Sequence, residues 1–132
     1  MNSLKQLQDC GQSIWLDYIR RDLLTSGEFQ RLVHEDGVHG VTSNPTIFDK
    51  TIAAGTAYDD AFHLLLSTDP DCGAQTLFES LEIQDLQLAA DILRPVYDQT
   101  DGADGFVSIE VSPRVAYDTA GSIAEAHVCG RP

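Results

Sequence analysis

The sequence has few basic residues and no long apolar run, and each shortage argues against a class of protein. Its 132 residues contain 8 lysines and arginines against 21 aspartates and glutamates, a formal net charge of −13 at pH 7. Because clustered Lys and Arg bind phosphate backbones, we expect no nucleic-acid partner, and the same charge repels an anionic membrane surface. No segment reaches the roughly 18 apolar residues that a membrane-spanning helix needs.

Cysteine is also scarce, and the motifs of several common sites are missing. Cys10, Cys72 and Cys129 are odd in number and too far apart for a zinc site, so small, buried, reduced thiols are the simplest interpretation. The N-terminal segment has no apolar run of a secretory signal, and no GxGxxG, P-loop or GxSxG motif occurs. We therefore expect a cytoplasmic protein that binds no metal ion and no nucleotide cofactor.

The apolar pattern predicts strands that alternate with helices. Residues 13–19, 38–42 and 105–111 are rich in β-branched and aromatic residues, whereas helical spacing dominates between them, over a long region before the third strand. Strands joined by helical crossovers pair in parallel, which predicts an α/β fold. Two architectures remain open, a small open sheet or the first part of a (β/α)₈ barrel, since a closed barrel takes about 250 residues.

Polar side chains stand near the C-terminal end of each predicted strand. Side chains two residues apart share a face, so these polar groups lie opposite the apolar face that helices should cover. In parallel sheets and barrels alike, ligands bind at the C-terminal ends of the strands. The candidate site residues are Asp17, Thr42, Asn44, Ser108 and Glu110.

Several of these residues also have a purely structural explanation. Ser43 and Asn44 precede Pro45 and suit the start of a helix; we prefer a capping role for Ser43 and leave both roles open for Asn44. Ser108 is explained nearly as well as a small filler of a tapering barrel. The carboxylates Asp17 and Glu110 favour function, because a charge inside a strand is costly unless it is paired.

Three segments resemble the first three strands of transaldolases, in the order that the family has them. Residues 40–48, GVTSNPTIF, match the second-strand signature, and residues 13–17 and 107–111 are similar to the first and third strands. The resemblance covers essentially the whole chain. It implies that residues 1–132 are the first three strand-helix units of a (β/α)₈ TIM barrel, with a long helical segment between strands two and three.

The resemblance also implies an activity. Transaldolases are transferases of the pentose phosphate pathway that move a dihydroxyacetone unit from a ketose phosphate to an aldose phosphate through a lysine Schiff base, without metal or organic cofactor. By resemblance, Asp17 handles the proton of the hydroxyl whose deprotonation breaks the carbon–carbon bond, and Glu110 positions a proton-shuttling water. Thr42, Asn44 and Ser108 would hydrogen-bond the substrate or this water.

The sequence departs from the family in lacking the Schiff-base lysine, whose fourth-strand motif would begin shortly beyond Pro132. Lys5 and Lys50 are the only lysines, and both fall on predicted helices. We therefore expect these 132 residues alone to be inactive and, as a slice of a barrel, to associate through open strand edges. Two alternatives remain: a module that binds sugar phosphates without chemistry, and a fragment that pairs with a complementary barrel piece.

Overall fold

A computed structural model describes residues 2–53 and 55–129 of the chain, except for the side chain of Cys129. It contains a parallel sheet in the order β1-β2-β3 with helices between the strands, which confirms the α/β class and the long helical segment. The strands are β1 (Ile14–Leu16), β2 (Val38–Thr42) and β3 (Phe106–Ser108). The α-helices are α1 (Ser3–Asp9), α2 (Arg21–Thr25), α3 (Glu28–Arg31), α4 (Pro45–Ala53), α5 (Asp59–Thr68), α6 (Ala74–Gln99) and α7 (Thr119–Cys129), with a π-helix over Leu32–Asp36 and a 3₁₀ helix over Pro113–Val115.

The two outer strands are shorter than the sequence predicts. β2 has the predicted bounds, but β1 ends at Leu16 and β3 at Ser108, so the predicted strands over residues 13–19 and 105–111 are too long. An outer strand is hydrogen-bonded on one side only, and its ends are therefore weakly held. Beyond β3 the chain turns away, and the backbone N–H of Ser112 donates to Glu125 of α7 over 2.8 Å.

One face of the sheet is covered by helices and forms the core. Val41 of β2 is 1% exposed, and its partners in register, Leu16 and Val107, pack against the same core. Helix α6 supplies residues at helical spacing, because positions three and four apart share one face. The buried cluster consists of Ile19, Leu24, Phe29, Val33, Val38, Val41, Phe48, Ala89, Leu93 and Val96.

A single carboxylate joins the N-terminal ends of the three strands. Asp104, just before β3, accepts a hydrogen bond from Ser13 Oγ over 2.8 Å and contacts His39 Nδ1 over 3.0 Å. Ser13 precedes β1 and His39 lies in β2, so Asp104 bridges the whole sheet. This contact fixes the strands in register at the end opposite the candidate site.

Helix α6 is tied to α2 by a second, fully buried carboxylate. Asp85 is 0% exposed and accepts hydrogen bonds from Arg21 Nε (2.7 Å) and Tyr58 Oη (2.6 Å). The Arg21 guanidinium also lies 4.9 Å from the centroid of the Tyr58 ring. Burial raises the pKa of Asp85, and burial together with the bond to Asp85 raises the pKa of Tyr58 to about 12. Both oxygens of the buried carboxylate are thus occupied, as burial of a charge requires.

The structure bears on two expectations, that the thiols are buried and that no segment spans a membrane. Cys10 is exposed and Cys72 is half-buried, so the expectation of buried thiols is wrong for Cys10, while the side chain of Cys129 lies outside the described residues. Cys10 follows the short, exposed helix α1, which contributes no buried residue. Among the described residues, no helix combines the length and the apolar character needed to cross a bilayer.

We expect Asp85→Ala to lower the free energy of unfolding by about 3–5 kcal/mol, because it leaves the partly buried Arg21 charge and the Tyr58 hydroxyl without their acceptor. Urea denaturation followed by circular dichroism measures the change. Asp91→Ala removes an exposed carboxylate from the same helix and serves as control, with an expected change within about 0.5 kcal/mol. Equal losses in both variants would contradict a structural role for the Asp85 network.

The edges of the sheet generate a prediction about association. Among the described residues β1 and β3 each pair only with β2, and Trp15 and Phe106 expose 38% and 42% of their surfaces. Because unpaired edges are templates for strand addition, we expect the average mass in sedimentation velocity to rise with protein concentration. A monomer with a sharp thermal transition that is independent of concentration would argue against this expectation.

Candidate active site

The face of the sheet opposite the core is open and carries the polar residues that the sequence singles out. Because strand neighbours in register share a face, its residues form two rows across the strands. The first row is Trp15, Gly40 and Phe106, and Thr42 pairs with Ser108 in the second, nearer the C-terminal ends. Asp17, the residue after β1, joins the second row through its hydrogen bond from Thr42. In the second row Asp17 is exposed, whereas Thr42 and Ser108 are half-buried. The structure thus brings three of the five candidate residues together.

The carboxylate of Asp17 is held by the neighbouring strand. Thr42 Oγ1 donates a hydrogen bond to Asp17 Oδ1 over 2.5 Å, a distance typical of a hydroxyl that donates to a charged carboxylate. The Thr42 proton is therefore directed at Asp17, and the contact of Thr42 with the substrate or a water stays a prediction. Its oxygen can still accept a hydrogen bond, so Asp17 and Thr42 form one oriented pair at the strand ends.

Asn44, and not Ser43, caps helix α4. Asn44 Oδ1 accepts a hydrogen bond from the backbone N–H of Ile47 over 2.9 Å. Ser43 is 1% exposed, and its Oγ donates to the carbonyl oxygen of Ser108 over 2.9 Å, so the preferred capping role of Ser43 is wrong. The Ser108 carbonyl also accepts the backbone N–H of Ser43 over 3.1 Å, so Ser43 holds the end of β3 with two hydrogen bonds. The side-chain NH₂ of Asn44 has no acceptor among the described residues and remains available as a donor.

Trp15 lies across Gly40, and this contact requires glycine. A Cβ at Gly40 would come within 2.4 Å of two ring atoms of Trp15, so any larger residue would displace the indole. The indole N–H donates to Ser13 Oγ over 2.9 Å, which holds in place the five-membered ring that lies over Gly40. The ring therefore lies one row below the Asp17–Thr42 pair. The sequence signal for this contact was a glycine in the interior of β2, which often marks a close approach.

Glu110 lies apart from the Asp17–Thr42 pair. It follows the C-terminal end of β3, is exposed, and lines a cavity of about 490 Å³ together with residues of α6 and α7. Among the described residues, no hydrogen bond joins it to Asp17, Thr42 or Ser108. The predicted grouping of Glu110 with Ser108 on one strand face is not formed, because β3 ends at Ser108.

The polar face contains no lysine or arginine among the described residues. Lys5 lies on α1 and donates to the carbonyl oxygen of His34 over 2.9 Å, and Lys50 is exposed on α4. Most of the arginines form ion pairs on helices or beside them. These pairs are Arg20–Asp22, Arg21–Asp85, Arg31–Glu28 and Arg94–Asp98. The face therefore offers an oriented carboxylate and hydrogen-bonding groups, but neither a nucleophilic amine nor a basic phosphate ligand.

Comparisons with known proteins agree over nearly the whole chain. The model of a family described as Transaldolase/Fructose-6-phosphate aldolase matches residues 14–129. The chain is 44% identical over 126 residues to "Transaldolase" of Thiobacillus denitrificans, covering 96% of this chain and 34% of that protein. It is 46% identical over 123 residues to "Transaldolase" of Thermobifida fusca, covering 93% of this chain and 33% of that protein. The chain thus spans about a third of the length of these curated relatives.

We expect Gly40→Ala to displace the Trp15 indole, to shift its fluorescence emission to longer wavelengths, and to lower the free energy of unfolding by about 1–3 kcal/mol through overpacking. Trp15 is the only tryptophan, so the emission reports this contact alone. Gly55→Ala is the matched control, because a Cβ at Gly55 would meet nothing within 4 Å. Unchanged emission in Gly40→Ala would contradict the contact.

Proposed function

Because the chain belongs to the transaldolase and fructose-6-phosphate aldolase family, we propose that residues 1–132 form the first three strand-helix units of a (β/α)₈ barrel that transfers a dihydroxyacetone unit between sugar phosphates. The observation that carries this proposal is the row of Asp17, Thr42 and Ser108 at the C-terminal ends of three parallel strands. Barrel enzymes bind and convert their substrates at that end.

In this proposal Asp17 is the general base for carbon–carbon cleavage. It takes the proton of the substrate hydroxyl whose deprotonation breaks the bond, and it returns a proton when the new bond forms. The hydrogen bond from Thr42 holds one carboxylate oxygen and leaves the other for the substrate. A carboxylate oriented before the substrate arrives loses less entropy in the transition state.

The other candidate residues support binding and imine formation. Asn44 uses its amide oxygen to cap α4 and offers its NH₂ group to an oxygen of the substrate. The Ser108 hydroxyl lies in the same row as Asp17 and contacts the substrate or a bound water. Glu110 positions the water that exchanges protons during imine formation, and this role requires it to move from the cavity towards the row.

A lysine beside Asp17 must supply the Schiff base, and this chain has none there. A nucleophilic lysine has to be neutral, which takes a desolvated site or a neighbouring positive charge. Lys50 is exposed on α4 and therefore lacks the desolvated site that such a lysine takes. These 132 residues alone are therefore inactive. The complete reaction needs a lysine and phosphate-binding groups that these residues do not supply.

The proposal also covers the substrates, the pathway and the cellular compartment of the reaction. The donor is a ketose phosphate and the acceptor an aldose phosphate, in the pentose phosphate pathway of the cytoplasm. The 21 acidic against 8 basic residues argue against nucleic acid as a partner, because binding of its phosphate backbone takes clustered Lys and Arg. No metal ion or organic cofactor is required, since the imine itself stabilises the developing negative charge.

We expect borohydride trapping with fructose 6-phosphate to give no covalent adduct on this 132-residue chain. The positive control is a chimera in which residues 14–129, the segment that the family model matches, replace the corresponding segment of the Thiobacillus denitrificans transaldolase. This chimera should trap substrate and transfer the dihydroxyacetone unit. In the chimera Asp17→Asn should lower kcat by about 10²–10⁴-fold, as loss of a general base does. Asp71→Asn, an exposed position on the turn before α6, should leave kcat unchanged.

The possible outcomes of trapping distinguish the proposed transaldolase function from the alternatives. A folded chimera that neither traps substrate nor transfers the unit would refute the proposed function, and an adduct on Lys5 or Lys50 would refute the inactivity of this chain. A saturable change of Trp15 emission with fructose 6-phosphate, without an adduct, would favour a module that binds without chemistry. The observation that favours this second candidate is that the lysines of the sequence lie on α1 and α4 and not on the polar face of the sheet.

A further inference from the structure

Ser43 is a buried polar residue that stands between two candidate site residues, Thr42 and Asn44, and it has no part in the proposed reaction. Its surface is 1% exposed. A hydroxyl is costly to bury unless the protein replaces the hydrogen bonds that it makes with water. At this exposure Ser43 does not touch a substrate, so any contribution that it makes to the reaction passes through a neighbouring residue.

Both hydrogen-bond donors of Ser43 are directed at one acceptor, the carbonyl oxygen of Ser108. The backbone N–H donates over 3.1 Å and the hydroxyl over 2.9 Å. A carbonyl oxygen has two lone pairs and accepts both bonds. The backbone bond continues the ladder between β2 and β3, whereas the hydroxyl adds a bond that main-chain groups alone do not make.

This carbonyl belongs to the last residue of β3. Among the described residues β3 pairs only with β2, and it ends at Ser108. Beyond Ser108 the chain turns towards α7, where the backbone N–H of Ser112 donates to Glu125. The end of β3 is therefore held from one side only, and the end of such a strand opens most easily. The hydrogen bonds from Ser43 oppose this opening.

The place of Ser108 in the candidate site depends on this anchor. Ser108 pairs in register with Thr42, whose hydroxyl donates to Asp17. Ser108 therefore stays in the row only while the end of β3 lies against β2. Because Ser43 is buried, water does not readily replace its hydroxyl when that group is removed. Loss of the Ser43 hydroxyl would thus loosen Ser108 relative to Asp17.

We propose that Ser43 is a positioning residue, which holds Ser108 in the row of Asp17 and so affects the reaction without touching the substrate. The inference rests on the proposed function, in which Ser108 contacts the substrate or a bound water. A misplacement of about 1 Å in an active site costs up to about 10²-fold in rate, even when the change lies outside the reacting groups. A single buried hydroxyl behind the site is therefore sufficient to alter the rate.

Amide hydrogen exchange of the 132-residue chain, followed by nuclear magnetic resonance, tests the anchor itself. In Ser43→Ala we expect the protection factor of the amide at residue 43 to fall about tenfold, because the Ser108 carbonyl is held by one bond instead of two. The amide of Gly105 donates to the His39 carbonyl over 2.9 Å at the other end of β3, and its protection should not change. Equal losses at both amides would contradict a local anchor.

The chimera that carries residues 14–129 tests whether the anchor matters for the reaction. In the chimera Ser43→Ala should lower kcat/KM by about tenfold, roughly the contribution of one hydrogen bond. The loss should divide between kcat and KM as it does in Ser108→Ala, because both variants disturb the same contact. The variant with both substitutions should lose no more than Ser108→Ala alone, since Ser43 then has no hydroxyl left to position.

Thr51 provides a matched control for the loss of a buried hydroxyl. It is 6% exposed, and its Oγ1 donates to the carbonyl oxygen of Phe48 within α4 over 3.1 Å. Thr51→Val and Ser43→Ala each remove a buried donor, so both should lower the midpoint of thermal unfolding, but only Ser43→Ala should change the kinetic constants. Ser43→Cys keeps a weaker donor, should show an intermediate loss, and replaces Ser43→Ala if that variant does not fold.

Three kinetic results would overturn the inference: unchanged constants in a folded Ser43→Ala chimera, losses that add in the double variant, and equal losses in Thr51→Val. Failure of the proposed function is recognised separately, because the chimera without substitutions then neither traps fructose 6-phosphate nor transfers the dihydroxyacetone unit, and the inference falls with it. A chimera that loses activity in Asp17→Asn but not in Ser43→Ala would support the proposed function and refute the role of Ser43.

Discussion

The alternation of side chains along three short parallel strands is the constraint on which both the core and the candidate site depend. Val41 is buried under the helices, and the next residue, Thr42, therefore faces the open side together with Asp17 and Ser108. A shift of one residue in β2 would exchange its buried and open faces, burying Thr42 and exposing Val41. The bonds of Asp104 to β2 and to the residue before β1 oppose such a shift at the other end of the sheet.

Two buried carboxyl groups of helix α6 differ in whether their oxygens have hydrogen-bond donors. Asp85 is fully buried, but Arg21 and Tyr58 occupy both of its oxygens, so it serves to fix the helix. Glu82 lies almost one turn earlier, is nearly as buried, and has an oxygen without a donor. A buried carboxylate whose oxygens have donors can fix two elements to each other, whereas a buried oxygen without a donor costs stability.

In the candidate active site a side-chain hydrogen bond joins Asp17 to Thr42, but none joins either of them to Glu110 among the described residues. Asp17 and Thr42 are joined across neighbouring strands, while Glu110 lies beyond the end of β3 and shares its surroundings with α6 and α7. β3 has no strand on its far side among the described residues, and hydrogen bonds from one side alone hold its end weakly. Extension of β3 by two residues would place Glu110 on the face of Ser108, as alternation requires.

The sequence by itself determined the α/β class, the parallel order, the bounds of β2 and the family, because periodicity and motif spacing are local properties of the chain. It also placed Asp17, Thr42 and Ser108 on one face. Only the tertiary structure decided that the Thr42 hydroxyl donates to Asp17 and that the Ser43 hydroxyl donates to the Ser108 carbonyl. It also decided that Glu82 Oε1 is buried without a hydrogen-bond partner among the described residues. These contacts join side chains far apart in sequence, and their partners are set by how helices and strands pack together.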